Sequence, residues 1–282
     1  MTTALENSLD FHEYLVPPLG DPLRQGDVLE SVASDASKWQ RRLLVLTADC
    51  DFAHGKHQGR VTCVPILESK DYLLEFQLPM IRANYSKKPL AAFHAEVERA
   101  GSSGVSKDRL VEWANEESTT SILVSLNIAA ARSAELTRQI DALRILHATH
   151  SSLDAGIAAY ATAIEKTGIA KSRDDALTRV KGDLRSRFNT LPGDTMFLGS
   201  VGPGNSDGYC AYLRHIEQVW ESDVALAPTR SSVTHRRLAR LQDRFTDAVA
   251  QQFGMVFMSI GLPPVYEDKR RRHGEQLGEG IN

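Results

Sequence analysis

Five residues between positions 49 and 57 have side chains that can bind a metal ion or move a proton. They are Asp49, Cys50, Asp51, His54 and His57. Carboxylates and imidazoles gathered at a strand end predict, as one interpretation, a metal-dependent hydrolase centred on Asp49, Asp51 and His54. The alternative is a polar loop in which both aspartates accept hydrogen bonds from backbone amides and Cys50 points into the core. We favour the polar loop, with no metal and no cofactor.

Basic residues flank the same cluster. Arg41 and Arg42 precede it, and Lys56 and Arg60 follow it, with His57 between them. A row of cationic side chains can follow the phosphate backbone of a single-stranded nucleic acid. The four basic residues therefore predict a nucleic-acid-binding lip. The alternative is a solvated surface whose charges discourage edge-to-edge pairing of strands.

The composition restricts the function further. The chain has 282 residues and a net charge of -3, so any contact with nucleic acid would come from a local patch. Its three cysteines lack the Cys-x-x-Cys spacing of a metal site and the number of a disulfide framework. The apolar stretches are too short to span a bilayer and the N-terminus lacks a signal-peptide pattern, which predicts a cytoplasmic protein without membrane contact. The sequence contains no phosphate-binding loop, dinucleotide fingerprint or tight Ser-His-Asp pattern.

The elements that position these residues begin with β-strands. Gly26-Asp27-Val28-Leu29 is typical of an opening strand, and the apolar run from Arg42 to Thr47 is typical of a strand buried on both faces. A third strand is predicted from Val61 to Leu67. Pro65 within it removes a backbone donor, which favours either a position at a sheet edge or an end of the strand at this residue. Residues 72–76 fit a strand or a helix equally well.

The middle of the chain changes to a helical period. Three apolar stripes recur at intervals of three and four residues. They are Leu136, Ile140, Leu143 and Leu146, then Leu153, Ile157, Tyr160 and Ile164, and then Leu177, Val180, Leu184 and Phe188. Ser172 has the position of an N-cap for the third helix. Short links between the helices favour antiparallel neighbours.

The last third returns to strands and ends in a helix. Two strand-like runs, 194–199 and 209–213, flank a turn rich in Gly, Asn and Asp, which predicts a hairpin. One apolar stripe then predicts a closing helix that starts after Ser231 or Ser232. Its members are Leu238, Leu241, Phe245, Val249, Phe253 and Val256. The charged residues 267–282, which include Lys269-Arg270-Arg271-Arg272-His273, predict a disordered tail.

Together these patterns predict an α+β protein. Residues 1–100 form the first part of a small β-barrel unit, and residues 101–190 form a helical insertion. Residues 191–266 supply the returning hairpin and the closing helix, and residues 267–282 form the tail. The helical stripes exceed what a small barrel can cover, which leaves a protein partner or a homodimer as alternatives.

Two pieces of the sequence resemble the PemK/MazF family. Gly26-Asp27-Val28 is similar to the opening strand of that family, and Arg41 followed by 42–46 and Thr47 is similar to its basic loop and buried strand. The resemblance implies an SH3-like barrel and the toxin half of a bacterial toxin–antitoxin pair. It also implies metal-independent cleavage of single-stranded RNA, with Arg41 stabilising the phosphate transition state and Thr47 assisting. This sequence has Arg42 where the family has proline, and Asp49 and Asp51 follow, whose charges repel a phosphate.

A second likeness covers more of the chain. The strand end Thr47-Ala48-Asp49-Cys50-Asp51 and the ending Gly261-Leu262-Pro263 resemble uncharacterised bacterial barrel proteins associated with defence and stress gene clusters. This likeness implies a module that works with a protein partner encoded nearby. We therefore predict a partner-binding module. Contact with nucleic acid is an additional hypothesis for the same module. The alternative is a metal-independent endoribonuclease that uses Arg41 and Thr47.

Overall fold

The computed structural model describes residues 12–102, 104–204, 208–227, 232–258 and 264–279. Helices and strands are both present, which confirms the predicted α+β class. The strands are β1 (Tyr14–Leu15), β2 (Asp27–Ser31), β3 (Arg42–Val45), β4 (Arg60–Glu68), β5 (Thr195–Leu198), β6 (Tyr209–Tyr212), β7 (Glu217–Trp220), β8 (Val224–Ala225) and β9 (His235–Leu241).

The described helices fall between and after these strands. They are α1 (Lys38–Arg41), α2 (Asp49–Ala53), α3 (Ser69–Tyr72), α4 (Leu78–Tyr85), α5 (Lys87–Arg99), α6 (Lys107–Glu116), α7 (Thr119–Ser125), α8 (Ala130–His147), α9 (Leu153–Lys166), α10 (Arg173–Phe188), α11 (Asp243–Phe257) and α12 (Pro264–Glu279). A π-helical turn, Leu73–Gln77, joins α3 to α4, and a 3-10 turn, Glu221–Asp223, joins β7 to β8. Within these parts of the chain, no helix is long and apolar enough to cross a membrane.

The strands form one curled sheet in the order β1-β9-β2-β3-β4-β6-β5. Strand β7 pairs with β4 beside β6, and β8 pairs with β9. All of these pairs are antiparallel except β8 with β9. Because only Glu221–Asp223 separates β7 from β8, the segment 217–225 joins β4 on one side of the curl to β9 on the other.

Alternating side chains of the central strands enter two different cores, because successive side chains of a strand point to opposite faces. Leu29, Leu43 and Val61 belong to an inner cluster enclosed by the curl. Val28 and Leu44 belong to an outer cluster on the other face. Helix α11 covers this outer face with Phe245, Val249 and Phe253. The apolar run of β3 is therefore buried on both faces, as the sequence predicts.

The helices between β4 and β5 have two cores that share α8. Ala142 and Leu146 pack with α4, α9 and α10, whereas Ile140 and Leu143 pack with α5, α6 and α7. The three predicted helical stripes are confirmed as α8, α9 and α10. Ser172 is the N-cap of α10, since its Oγ accepts a hydrogen bond from the Asp175 N–H at 3.2 Å.

The helical segment starts at Ser69, earlier than the boundary at residue 101 that the sequence suggests. The ambiguous residues 72–76 are helical. Leu78, Ile81 and Tyr85 recur at helical spacing and pack into the core around α8 and α9. Residues 69–99 are helical because they pack against α8 and α9, and packing between distant segments stabilises a helix that the local sequence pattern does not predict.

Pro65 lies in a central strand that continues to Glu68, so the predicted edge position and the predicted strand end are both wrong. Strand β4 pairs with β3 on one side and with β7 and β6 on the other. The Leu46 N–H donates to the Thr62 carbonyl at 2.8 Å, so the alternate residues 61, 63 and 65 direct their backbone groups away from β3. The register with β7 ends at Cys63 and the register with β6 begins at Ile66. The missing N–H of Pro65 therefore falls where β4 changes neighbour and costs no hydrogen bond.

The closing helix begins at Asp243, so the predicted start after Ser231 or Ser232 is wrong. Leu238 and Leu241 belong to β9, which lies between β1 and β2. Only one residue, Gln242, separates β9 from α11. The apolar residues of the strand and of the helix therefore follow one another in sequence and resemble the stripe of a single longer helix. The predicted hairpin is confirmed as β5 and β6, in the register Met196↔Ala211.

The predicted disorder of residues 267–282 is also corrected in part, because residues up to 279 form helix α12. An ion pair between Asp268 and Arg271, three residues apart, is of the kind that supports a helix. The predicted helix end at Gly261-Leu262-Pro263 and the last three residues lie outside the described parts of the chain.

Candidate binding site

The Gly-Asp pair before β2 is built into the fold. The Asp27 side chain is fully buried and accepts hydrogen bonds from Arg240 at 2.7 Å and 3.1 Å and from the Arg24 N–H at 2.8 Å. Burial raises the pKa of Asp27, and the hydrogen bonds from Arg240 and Arg24 oppose that rise. Asp27 thus joins β2 to β9 and is not available to a ligand.

Asp49 at the start of α2 is held in a similar way. Its carboxylate accepts hydrogen bonds from Arg24 Nε at 2.9 Å and from the Gln25 N–H at 2.8 Å. Burial alone would raise the pKa of Asp49, but these hydrogen bonds outweigh burial and lower it. The polar-loop interpretation expects nearby backbone amides as donors, but the amide that Asp49 binds belongs to Gln25, 24 positions away in sequence. Cys50, in contrast, is exposed and not in the core, because α2 turns it away from the sheet.

The two histidines of the cluster do not converge on Asp49. His54 is exposed. His57 Nε2 lies 2.7 Å from Glu221 Oε2, and this hydrogen bond is the main cause of a raised His57 pKa. In the described parts of the chain, no three acidic, histidine or cysteine side chains come together as metal ligands.

The four basic residues form two separate groups. Arg41 lies 3.6 Å from Glu68 and 3.9 Å from Asp71. Arg42 lies 3.3 Å from Glu68 and 3.2 Å from Glu30, and its side chain is only 11% exposed.

Lys56 and Arg60 are at the other end of β4. Eight residues separate Arg60 from Glu68, which corresponds to about 26 Å of extended strand. The structure therefore does not bring the predicted lip together.

Thr47 and Arg41 are likewise apart, at opposite ends of β3. They are six positions apart, which corresponds to about 20 Å of extended chain. Thr47 is buried, and its Oγ1 accepts a hydrogen bond from the Thr62 N–H at 2.8 Å. This contact gives Thr47 a role in fixing the register between β3 and β4.

A cavity of about 510 Å³ opens at one end of the curl, and we call it the β7 cavity. Its walls are β7, the start of β9 and the segment from β2 to α1. The lining residues are Ser31, Ala33, Asp35, Ala36, Ser37, Gln40, Leu43, Glu217, Gln218, Val219, Trp220, Asp223, Thr234 and His235. The cavity has a volume suited to a small ligand or a few side chains of a partner.

Strand β7 has one unpaired edge. The Glu221 N–H donates to the Gly59 carbonyl at 2.8 Å, and Val219 pairs with Val61 in the same register. Residues 217, 219 and 221 therefore direct their backbone groups at β4, since the direction alternates along a strand. Gln218 and Trp220 direct theirs to the opposite side. No other strand of the described chain pairs with β7 on that side.

His235 supports the wall of the β7 cavity. Its Nδ1 lies 2.9 Å from Thr234 Oγ1, and its Nε2 lies 3.3 Å from the Gln40 carbonyl. Burial lowers the pKa of His235, although the Gln40 carbonyl opposes that change. The ring is therefore neutral near pH 7, with one nitrogen donating to Gln40 and the other accepting from Thr234.

Trp220 is the large apolar side chain at the opening of the β7 cavity. It is 47% exposed, and the Arg60 guanidinium carbon lies 4.3 Å from its ring centroid. The exposed tryptophan and the unpaired edge of β7 therefore lie side by side at the opening of the cavity.

Comparison with known proteins finds no match to this chain among family models, curated proteins or solved structures.

The sequence prediction did not include the residues of this cavity. Glu217, Gln218, Val219 and Trp220 alternate between more buried and more exposed positions, which is the signature of a half-buried strand. The pattern is short, and it does not show that no other strand of the described chain pairs with the far side of β7. Local sequence therefore signals the strand but not its open edge.

Proposed function

We propose that this chain is a partner-binding module with an SH3-like barrel, and that an extended segment of the partner docks along β7. The single observation that carries the proposal is the free edge of β7, bordered by a cavity of about 510 Å³. Addition of a strand to an exposed sheet edge is a general mode of peptide recognition, in which backbone hydrogen bonds supply affinity and pockets supply specificity.

The barrel assignment is supported by the order of pairing. Strands β4, β3, β2 and β9 are consecutive neighbours, and the segment 217–225 returns from β9 to β4. The pieces that resemble the PemK/MazF family form β2 and β3 within this arrangement. The resemblance also supports a place in a bacterial defence or stress system of the toxin–antitoxin type, with a protein partner encoded nearby.

Replacing Gln218 with proline tests the proposal. The Gln218 N–H points away from β4, so its removal leaves the pairing of β7 with β4 intact and removes one donor from the free edge. Peptides selected from a random library on the native protein are expected to bind Gln218→Pro about tenfold more weakly or worse. The measurement is fluorescence anisotropy with labelled peptides.

Gln218→Ala is the matched control, because it changes the side chain and keeps the N–H. Thermal melting of both variants checks that each is folded. Selected peptides that bind Gln218→Pro as tightly as the native protein would contradict docking along β7.

Binding of single-stranded RNA is a second candidate, favoured by one observation. The exposed ring of Trp220 and the adjacent guanidinium of Arg60 form a surface on which a base can stack. Lys56 is exposed on the loop that precedes β4. A ribonuclease that uses Arg41 and Thr47 is the remaining alternative, and the separation of these residues along β3 weighs against a joint action on one phosphate.

We expect long single-stranded RNA to remain intact when it is incubated with the purified protein, with or without EDTA. Gel electrophoresis of the RNA measures the outcome, with Arg41→Ala and the exposed Arg236→Ala as paired variants. Cleavage that persists in EDTA, survives Arg236→Ala and disappears in Arg41→Ala would support the ribonuclease alternative in place of the binding module.

A further inference from the structure

We propose that the segment docked along β7 places a lysine or arginine side chain in the β7 cavity. This inference rests on the proposed function, since it assumes that the occupant is an extended peptide, and it adds the chemistry of that peptide.

The charged residues in the described wall of the cavity are all acidic. Among the residues that the structure describes, three carboxylates line the cavity, from Asp35, Glu217 and Asp223, and no lysine or arginine lines it. His235 adds no charge near pH 7, because burial lowers its pKa. A cationic side chain is therefore the charged group that this wall stabilises, whereas a phosphate would meet repulsion from all three carboxylates.

Glu217 is held in position for such a contact. Its Oε1 lies 2.8 Å from His215 Nε2, and its side chain remains 26% exposed. The His215 ring in turn stacks on Trp39, with 5.0 Å between ring centroids. A carboxylate whose position is already fixed loses little conformational freedom when it binds a cation, and this favours affinity.

The geometry of a strand places the cation next to these carboxylates. A peptide paired with Gln218 and Trp220 directs every second side chain to the inner face of the curl, where Glu217 and Val219 also point. Val219 packs with the inner cluster and Trp220 lies at the opening, so the aliphatic stem of a lysine would meet apolar surface below its charged end.

Three synthetic peptides of eight residues test the inference: alternating valine and lysine, alternating valine and glutamine, and alternating valine and glutamate. Each is acetylated, amidated and titrated against the full chain at low salt, with Trp fluorescence as the readout. The lysine peptide is expected to bind at least about tenfold more tightly than the other two, and more weakly as salt rises.

Glu217→Gln is expected to weaken binding of the lysine peptide about tenfold and to leave the glutamine peptide unchanged. Glu221→Gln is the matched control, since this nearby carboxylate pairs with His57 and does not line the cavity. Circular dichroism confirms that each variant is folded.

The two hypotheses fail in different ways. In the first case all three peptides bind equally, Glu217→Gln has no effect and Gln218→Pro abolishes binding. This result overturns the inference of a cationic side chain in the cavity and leaves docking along β7 supported. Binding of the lysine peptide that is unchanged in Gln218→Pro overturns the docking mode and the inference with it. No detectable binding of the lysine peptide by the native protein also overturns the inference, and the library-selected peptides then decide the proposed function separately.

Discussion

Replacement of Arg240 with methionine is expected to lower the free energy of unfolding by about 3–5 kcal/mol. The change leaves the Asp27 carboxylate fully buried without the guanidinium that donates two hydrogen bonds to it. Arg237 lies 3.6 Å from the same carboxylate, too far for the hydrogen bonds that Arg240 makes. Chemical denaturation measures the loss, with circular dichroism as the signal.

The control for this prediction is Arg236→Met. Arg236 is on the same strand but exposed, so its loss should change the free energy of unfolding by less than about 0.5 kcal/mol. Equal effects of the two substitutions would show that the Arg240–Asp27 pair contributes nothing specific.

The loss in the free energy of unfolding that Arg240→Met causes should also depend on pH. Burial already raises the pKa of Asp27, and loss of Arg240 removes the main hydrogen bond that opposes that rise. Above the pKa of Asp27 the variant buries a negative charge that has lost its hydrogen-bonded guanidinium and keeps only the Arg24 N–H and the more distant Arg237. As the pH falls through that pKa the carboxyl becomes neutral, so the difference in stability between variant and native protein should shrink.

Replacement of Gly26 with alanine is expected to lower the free energy of unfolding by about 2–5 kcal/mol. The φ angle of Gly26 is +84°, a region that residues with a Cβ rarely adopt. An added Cβ would also lie 2.2 Å from Thr246 Oγ1 and 3.0 Å from Thr246 Cγ2 on α11. Rotation of the threonine would still leave its Cβ 3.2 Å from the added Cβ, so the two elements have to shift slightly apart.

Gly55→Ala separates backbone strain from the close contact. Gly55 also has a positive φ, +63°, but no atom lies within 4 Å of an added Cβ, so its replacement should cost only about 1–2 kcal/mol. The double variant Gly26→Ala with Thr246→Ala should recover part of the loss. If Gly26→Ala is as mild as Gly55→Ala, close packing of β2 on α11 is not what selects glycine at this position.

The sequence predicts best the elements whose burial is nearly complete. The run from Arg42 to Val45 is apolar because both of its faces enter a core, and this makes the strand visible without its neighbours. Strand β9 is harder to predict, because the charged residues Arg237 and Arg240 occupy buried positions in it. Their partners, Asp27 and backbone carbonyls, are more than 200 positions away in sequence.

The candidate site could not be predicted from local pattern for a related reason. Closeness in sequence suggests that Arg42 and Arg60 share a surface, yet Arg42 contacts Glu68 at one end of β4 and Arg60 is at the other end. Glu217 and Asp35, in contrast, line one cavity although 182 positions separate 217 from 35, because β7 and the segment after β2 meet at the end of the curl. The order of the strands in the sheet brings these two segments together, and local sequence does not reveal that order.

The pairing of β2 with β9 has a consequence for how the chain folds. Asp27 and Arg240 are 213 positions apart, and the helices between them make mostly local contacts. Closing so long a loop is entropically costly, and pairing at large sequence separation is slow. During synthesis, β2 to β4 leave the ribosome long before β9 exists. We therefore expect the helical insertion to acquire its core first, while the outer edge of β2 waits, unpaired, for the last strand.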